Sequence, residues 1–599
     1  MQKSNTRQIA PKPTKNGFLP LKTNRIKKVL SNDSMVEWKY INWRKLERRV
    51  FKLQKRIYKA SLRGDVKAFR RLQKTLMKSW AAKCLSVRRV TQDNLGKKTA
   101  GVDGVKSLSP EARLKLVIKL KPNLKVKPTR RVWIPKPGTE EKRPLGIPVM
   151  NDRALQALIK MALEPEWEAR FEPNSYGFRP GRSCHDAIEA IFSSIAKKSK
   201  YVLDADIAKC FDRIDHEALL IKLNTFPTIR RQVRAWLKAG VMDGKQLFPT
   251  SEGTPQGGVI SPLLANIALH GMEERIDKTF PEMSYTNRET WYHKKGTKFR
   301  SPRLIRYADD FVILHEDITV VQRCTEIISE WLKDMGLELK PSKTRLAHTL
   351  NEYETEKPGF NFLGFNVKQW KVGKYHSKQG FKTIITPSSY KQKIHYDRVA
   401  SIIDDHKAAP QVALISRVNP VITGWSNYYS TVISKVIFSD LDNLMYLKLK
   451  VWAQHRHPKK SGGWVSKKYW QTIGGNNWVF ATRQEGKNPM RLRSHTETKI
   501  IRHVKVKGDA SPYDGNLIYW SSRMGKHPET TTRVATLLKS QSGKCTHCGM
   551  YFREEDVLEI DHITPKSLGG KDEQKNLQIL HRHCHDEKTT EDGSVVKYT

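Results

Sequence analysis

Residues 303–317 read RLIRYADDFVILHED. Leu304, Ile305, Phe311, Val312, Ile313 and Leu314 suit a buried strand, yet Asp309 and Asp310 stand side by side among them. An ionised carboxylate is expensive to bury without a partner, and two neighbours also repel each other. Consecutive residues of a regular strand point to opposite faces. The pair therefore fits better at a hairpin turn joining LIRY to FVIL, where both carboxylates are presented at one edge and a divalent cation cancels their repulsion. Metal-assisted phosphoryl transfer takes a further carboxylate, so that two ions about 3.5–4 Å apart are clamped. Asp206 in YVLDADIAKCFD, at the end of a predicted strand just before a helix, is the leading candidate. Asp204, on the same strand face, and Asp212, on the following helix, compete with it. Taken alone, an Asp-Asp pair is most often a solvated turn.

The composition points the same way as the metal reading. The 599 residues carry 109 Lys+Arg against 60 Asp+Glu, a formal charge of +49, with the excess heaviest near the start. A chain of this length holds several domains, each with its own core. A field of this sign attracts polyanions, nucleic acid above all, and 15 Trp, 19 Tyr and 19 Phe are available to stack on bases. Nothing at the N-terminus resembles a signal peptide, and no apolar run is long enough to span a membrane. Of the 7 cysteines, Cys84, Cys184, Cys210 and Cys324 are isolated. The other three cluster from Cys545 onward, which suggests metal binding rather than disulfides and a reducing compartment.

Residues 1–36 are polar, basic and Pro-containing, and are expected to be flexible. LERRVFKLQKRIYKA then sets Leu46, Val50, Leu53 and Ile57 at helical spacing. From about 130 to 365, apolar runs alternate with helical patterns, as in an α+β domain. VWIPKP and RPLGIP look like a hairpin, and ALQALIKMALEPEWEARF reads as a helix. YVLDADIAKCFDRIDH starts as a strand and becomes a helix, and GFNFLGFNV is a short hairpin. Residues 284–302 look like a basic, aromatic surface insertion. The pattern over 385–475 is helical and ends in HRHPKK. Residues 480–540 show little regular pattern.

YADD follows DADIAKCFD and GTPQGGVISPLLANI, and RPLGIP (143–148) and SYGFRPGRSCHDA (175–187) come earlier still. GLELKPSKT (336–344) and NFLGF (361–365) come after it. This ordered series resembles the polymerase core of reverse transcriptases and implies a right-hand fold of fingers and palm. By that resemblance Asp206, Asp309 and Asp310 hold two Mg²⁺ ions, one for a primer 3′-hydroxyl and one for the triphosphate. Phe211 matches the aromatic gate that would clash with a ribose 2′-hydroxyl. Arg143, with Lys142 beside it, matches the fingers position that pairs with triphosphate, where a guanidinium is apt. Gln256 and Gly257 match the loop under the incoming nucleotide, and Lys343 a lysine near the pyrophosphate.

Three further features narrow the family. GKKTAGVDG resembles the N-terminal extension of group II intron-encoded and related bacterial enzymes. GWSNYY (424–429), followed by a long helix and WAQHRHPKK (452–460), resembles their helical thumb or maturase domain. There Arg456, Lys459 and Lys460 suit phosphate contact, while Trp425, Tyr428 and Tyr429 stack on bases or pack the core, the core suiting Trp425 best. Last, Cys545-x₂-Cys548 and His581-x₂-Cys584 give four soft ligands in two knuckles, suited to structural Zn²⁺; nearby His583 leaves the fourth ligand open. The knuckles enclose EIDHITP and Asn576 and precede His585, which resembles the HNH nuclease motif. That match makes His562 the general base. It gives Asp561 and His585 one divalent ion, and leaves Asn576 either to orient the site or to ligate.

The resemblance to group II intron-encoded proteins implies a multidomain α+β chain. Its expected parts are the basic N-terminus 1–36, reverse transcriptase 37–384, maturase/thumb 385–479, a DNA-binding region 480–540, and a zinc-stabilised ββα-metal HNH domain 541–599. It also implies RNA-directed DNA synthesis, help with intron splicing, and nicking of target DNA for target-primed reverse transcription. The partners would be intron RNA, double-stranded target DNA and dNTPs, with no membrane and with a homodimer left open. The setting would be bacterial cytoplasm, nucleoid-associated, or an organelle, without secretion. The alternative is a splicing scaffold whose polymerase is inactive.

Overall fold

A computed structural model describes residues 37–136, 138–280, 301–482, 489–554 and 556–593. The N-terminal stretch 1–36 and nearly all of the insertion expected at 284–302 lie outside the described residues. The chain is a mixed α+β, multidomain protein. No helix among the described residues is long and apolar enough to cross a membrane.

LERRVFKLQKRIYKA lies within the helix Trp43–Leu62, which starts where the Asn42 side chain accepts from the Lys45 N–H. Val50 and Ile57 are buried, with Leu46 and Leu53 packed half-buried against the same core. Together with helices Val66–Lys78 and Trp80–Arg88 it packs on Met150–Glu168, a helix buried along almost its whole length. Strands β1 (Thr129–Pro135) and β2 (Lys142–Ile147) form the expected hairpin, Pro135 facing Lys142. A first sheet is completed by β4 (Val241–Asp243), parallel to β1, and β5 (Gln246–Phe248).

The opening stretch lies in a second sheet. Here β6 (Arg303–Tyr307), β7 (Asp310–His315), β3 (Tyr201–Asp206) and β8 (Arg345–His348) lie in that order, all antiparallel. Leu203, Leu304, Phe311 and Ile313 enter the core shared with Met150–Glu168, while Val202, Ile305, Val312 and Leu314 enter a second core on the opposite face. A sheet buried on both faces needs strands without polar alternation, and this is the pattern LIRY and FVIL carry. The strand expected in YVLDADIAKCFDRIDH is β3, but its helix differs from expectation. One turn, Cys210–Arg213, is entered through Lys209 at φ +45°, and a new helix, His216–Leu223, starts on an Asp215 cap.

The second core is completed by β9 (Phe360–Phe362), β10 (Phe365–Lys371) and β11 (Phe381–Pro387), and by Tyr429 and Phe438. Helices Ser389–Asp405, Gln411–Tyr428 and Lys435–Arg456 enclose a third core around Ile415, Leu449 and Trp452. The hairpin of β12 (Trp470–Ile473) and β13 (Asn476–Phe480) closes it.

Residues 489–540 hold only two helices longer than a single turn, Leu517–Met524 and Thr532–Ser540, among the described residues. Much of this segment is instead strapped over the helix Cys184–Ile195. Asp186, wholly buried, closes a capping box with Ser183. Its Oδ1 also accepts from the Val506 N–H at 2.8 Å and from the Arg523 guanidinium, with His503 Nε2 at 3.1 Å. Burial alone pushes this carboxyl up; the His503 contact and the Arg523 charge outweigh it and hold the group well below the usual carboxylate range. Arg502 pairs with Glu189 at 2.7 Å and Arg182 donates to the Gly508 carbonyl at 2.9 Å. Part of the segment's positive charge is therefore neutralised within the protein. Asp186→Ala leaves Arg523 and His503 beside an uncharged hole, at an expected cost of about 3–5 kcal/mol. The checks are an earlier denaturant midpoint and faster amide exchange over 503–524.

Candidate active sites

Two residues, Ala308 and Asp309, join β6 to β7, with Tyr307 opposite Asp310. Ala308 takes φ +59°, as a tight two-residue hairpin requires at its first position. The surroundings impose it. A Cβ on Gly177 would lie 2.2 Å from the Ala308 nitrogen, so only glycine fits there. Arg306 is wholly buried and donates to the Ala308 carbonyl (3.0 Å), Asn266 Oδ1 (3.1 Å) and Ser175 Oγ (2.7 Å). The Asn266 amide donates in turn to the Gly177 carbonyl at 2.8 Å. Nothing in the sequence marks Arg306 as an inward strut, because a strand arginine next to two aspartates reads as a surface or ligand-binding residue.

Asp206 ends β3 directly opposite Asp310, and Asp309 stands on the adjoining turn, so the three carboxylates meet at one edge of the sheet. Burial pushes the Asp310 carboxyl up to about 7, helped by the charges of Asp309 and Asp206. Asp309 is raised chiefly by burial as well. Lys343 Nζ donates to Asp206 Oδ2 at 2.7 Å. A set of mutually repelling oxygen ligands fits hard divalent cations. Asp204 shares the strand face but lies two pairs deeper, opposite Val312 and Arg345, and burial raises it to about 6. Asp212 is engaged elsewhere, accepting from Gln256 Nε2 at 3.3 and 3.4 Å.

The flanking loops are tied to this edge. The Gln256 carbonyl accepts from the Gly146 N–H at 2.6 Å, and that of Phe211 accepts from the Thr254 N–H at 2.6 Å. Gly257 has φ +108°, and a Cβ there would stand 3.0 Å from the Gly146 carbonyl oxygen, so the position needs glycine. Lys142 and Arg143 are exposed on β2, and the field of Arg143 reaches Asp309.

In the helical region Trp425 stacks on His395 with ring centroids 4.5 Å apart. Tyr428 and Tyr429 donate to the Leu363 and Gly364 carbonyls at 3.0 and 3.2 Å, so all three aromatics pack rather than present free faces. Lys459 and Lys460 are exposed. Arg456 departs from the phosphate contact expected of it. Its guanidinium donates to the Lys407 and Ala409 carbonyls (2.7 and 3.0 Å) and the Tyr469 hydroxyl (3.2 Å), over the Trp452 ring. It clamps helices together.

At the C-terminal end β14 (Leu558–His562) pairs antiparallel with β15 (Leu577–His581), and the helix Arg582–Glu591 follows. The ligand atoms of Cys545, Cys548, His581 and Cys584 all lie within 4.8 Å of one another, and all four residues are buried. Three sulfurs and an imidazole so placed fit a soft tetrahedral ion. His581 turns Nδ1 toward the sulfurs (3.4 Å from Cys548) and has Nε2 3.3 Å from Asp556 Oδ2, the outer carboxylate that orients a metal-binding imidazole. His583 faces Glu47, its Nδ1 3.7 Å from Oε1, which removes it from the fourth position. Asp561 Oδ1 and His585 Nε2 come to 3.5 Å, and His585 Nδ1 is 2.8 Å from Glu559. Nothing in the sequence marks Glu559 and Asp556, since neither lies in a spaced ligand pattern. His562 Nε2 is 3.4 Å from Asp572. Asn576 departs from the ligand role: its amide accepts from the Thr564 N–H and donates to the Thr564 and Lys571 carbonyls (2.8, 3.0 and 2.9 Å). It is committed to shaping the loop, the orienting alternative.

Four family descriptions match in chain order. They are the N-terminal domain of reverse transcriptase (38–120), reverse transcriptase or RNA-dependent DNA polymerase (134–367), the group II intron maturase-specific domain (392–470) and HNH endonuclease (545–591). Protein YkfC of Escherichia coli (strain K12) is 32% identical over 314 residues, 47% of this chain and 78% of YkfC. The group II intron-encoded protein LtrA of Lactococcus lactis subsp. cremoris is 26% identical over 581 residues, 82% of this chain and 91% of LtrA. The chain belongs to the group II intron-encoded proteins. As one of them it combines reverse transcriptase, maturase and HNH endonuclease domains, an RNA-directed DNA polymerase and a DNA endonuclease on a single chain. Both enzymatic families use divalent metals. A solved telomerase from Candida tropicalis overlaps with a TM-score of 0.30 and 15% identity, over 40% of this chain and 53% of that one; it adds nothing to the assignment.

Proposed function

We propose that this group II intron-encoded protein binds its intron RNA, assists its splicing, and copies it into DNA at a target whose second strand it nicks itself. The observation that carries the reading is the meeting of Asp206, Asp309 and Asp310 at one sheet edge, on a chain that also holds a ββα nuclease site. In this reading the first sheet with its hairpin forms the fingers, the second sheet the palm, and the helical region the thumb.

Asp206, Asp309 and Asp310 would hold two Mg²⁺ ions, which supply activation of the primer 3′-hydroxyl and neutralisation of charge at the triphosphate. Arg143 and Lys142 grip the triphosphate from the fingers hairpin. Lys343, beside Asp206, stabilises the departing pyrophosphate. Phe211 excludes a 2′-hydroxyl, and the Gln256–Gly257 backbone underlies the incoming base. Lys459 and Lys460 meet RNA phosphates. In the nuclease, His562 takes the proton of the attacking water, with Asp572 beside it to hold the imidazolium. Asp561 and His585 would hold a single Mg²⁺, and Cys545, Cys548, His581 and Cys584 a structural Zn²⁺. Residues 480–540 lie along target DNA, and the setting is a bacterial cytoplasm or an organelle.

The test is a target-DNA assay with intron RNA and dNTPs. Asp309→Ala should lose DNA synthesis and keep nicking. His562→Ala should lose nicking and keep synthesis on a target nicked beforehand. A folded, RNA-binding wild type that makes no DNA overturns the reading in favour of a splicing scaffold.

A further inference from the structure

The motif SYGFRPGRS supplies Ser175, Gly177, Arg182 and Ser183 as supports for the carboxylate turn and for the helix Cys184–Ile195. Its residues are held with unusual completeness. Tyr176 is wholly buried, and the Gly177 backbone is wedged against Ala308. Arg179, also buried, is bidentate to Glu168 at 3.0 Å and donates to the Glu172 and Ser175 carbonyls at 2.7 and 2.8 Å. Between these fixed neighbours stands Phe178, 48% exposed and at φ +58°. A bulky residue adopts that conformation only where its surroundings over-determine it, and such positions gather at functional sites. Folding gives no reason for phenylalanine here. A glycine or asparagine would take the same backbone with less strain, and a ring this exposed adds little to a core.

What the phenylalanine supplies is a ring contact. Its ring meets Phe211 edge to face, with centroids 6.0 Å apart and planes at 82°. The loop that carries it is anchored on the carboxylate turn itself, through Gly177 against Ala308. The position of one aromatic ring is thereby referred to the position of the carboxylates.

We propose that Phe178 is a positioning residue for sugar discrimination: it braces the Phe211 ring so that this ring does not tilt out of the space a ribose 2′-hydroxyl would fill. The inference rests on Phe211 being the gate. An unbraced gate admits ribonucleotides more readily, so the signature is a gain in their use.

The experiment is single-nucleotide incorporation on an RNA template, with kcat/KM measured for a dNTP and its rNTP. The variants are Phe211→Ala, Phe178→Ala, Phe178→Leu, Phe178→Tyr and the Phe178→Ala/Phe211→Ala pair. An edge-to-face contact of this kind corresponds to about a threefold to tenfold fall in the dNTP/rNTP ratio for Phe178→Ala, through a rise in rNTP incorporation. Phe178→Tyr keeps the wild-type ratio, and the double variant discriminates no worse than Phe211→Ala alone, as for two residues acting through one contact. Phe178→Leu, which keeps bulk without the ring, takes the place of alanine should the latter fail to fold. An unchanged ratio in Phe211→Ala removes the gate and the brace with it. A lowered ratio in Phe211→Ala beside a wild-type ratio in Phe178→Ala or Phe178→Leu leaves the gate standing and overturns the brace. Equal losses for both nucleotides in the Phe178 variants overturn it too, since that is what a merely structural residue produces.

Discussion

Asp309→Asn is expected to reduce RNA-templated DNA synthesis by about 10²–10³-fold, the scale of losing one group that stabilises developing charge, while leaving the protein no less stable. Activity and stability separate here because of where the residue stands. Asp309 is the carboxylate of a two-residue turn, and no neighbour is placed to replace it. Asp204 is two pairs deeper in the sheet, and Asp212 is engaged by Gln256. Asp206 and Asp310, facing each other across β3 and β7, remain. The Asp309 charge raises the proton affinity of Asp310, a sign that the two repel. An amide in its place removes that repulsion and keeps the shape of the turn, which Arg306 and Gly177 hold independently of Asp309. A melting temperature equal to or above that of the wild type, together with lost primer extension, is the expected pair of results. Lost extension with a clearly lower melting temperature would mean that the carboxylate had been holding the turn together.

That turn was legible in the sequence because its cause is local. Two carboxylates inside an apolar run break the strand pattern at one point, and a hairpin is the economical answer. The four residues of the Cys/His cluster were legible for the same reason, as two pairs each spaced by two residues. The residues that escaped are those whose partners are distant. Asp186 meets His503 across 317 positions, so nothing near it announces that its charge fixes a segment lacking any motif. Arg456, at the end of a basic run, looks like a phosphate ligand until three acceptors from other parts of the helical region surround it. Asn576 has a similar history, since two loop carbonyls and one N–H take up its amide. The single helical turn after β3 was hidden too, because it depends on Lys209 adopting a left-handed backbone.

The same distinction between local and distant support predicts what removal of the Zn²⁺ proposed for the Cys/His cluster does. Cys584→Ser, or stripping with a chelator, is expected to unfold the segment from about residue 541 onward and abolish nicking, with primer extension retained. The core of that segment is small: besides Leu537 and Leu538 just before it, Cys545, Cys548 and Cys584 are three of its seven buried members among the described residues. Structural Zn²⁺ contributes about 10–16 kcal/mol in peptides of this kind, comparable to or above the roughly 5–15 kcal/mol that stabilises a whole domain. The catalytic arrangement fails along with the fold. His585 follows Cys584 directly on the helix Arg582–Glu591, and His581 ends β15. Releasing the ligands therefore frees the element that holds His585 within 3.5 Å of Asp561. The polymerase carboxylates draw their support from Arg306, Asn266 and Gly177, none of which touches this segment's metal ligands. Limited proteolysis should show cleavage confined to the C-terminal segment in step with metal loss. Nicking that persists after the metal has been measured as gone would assign the fold of this domain to its strand pairing and its contact with Glu47 instead.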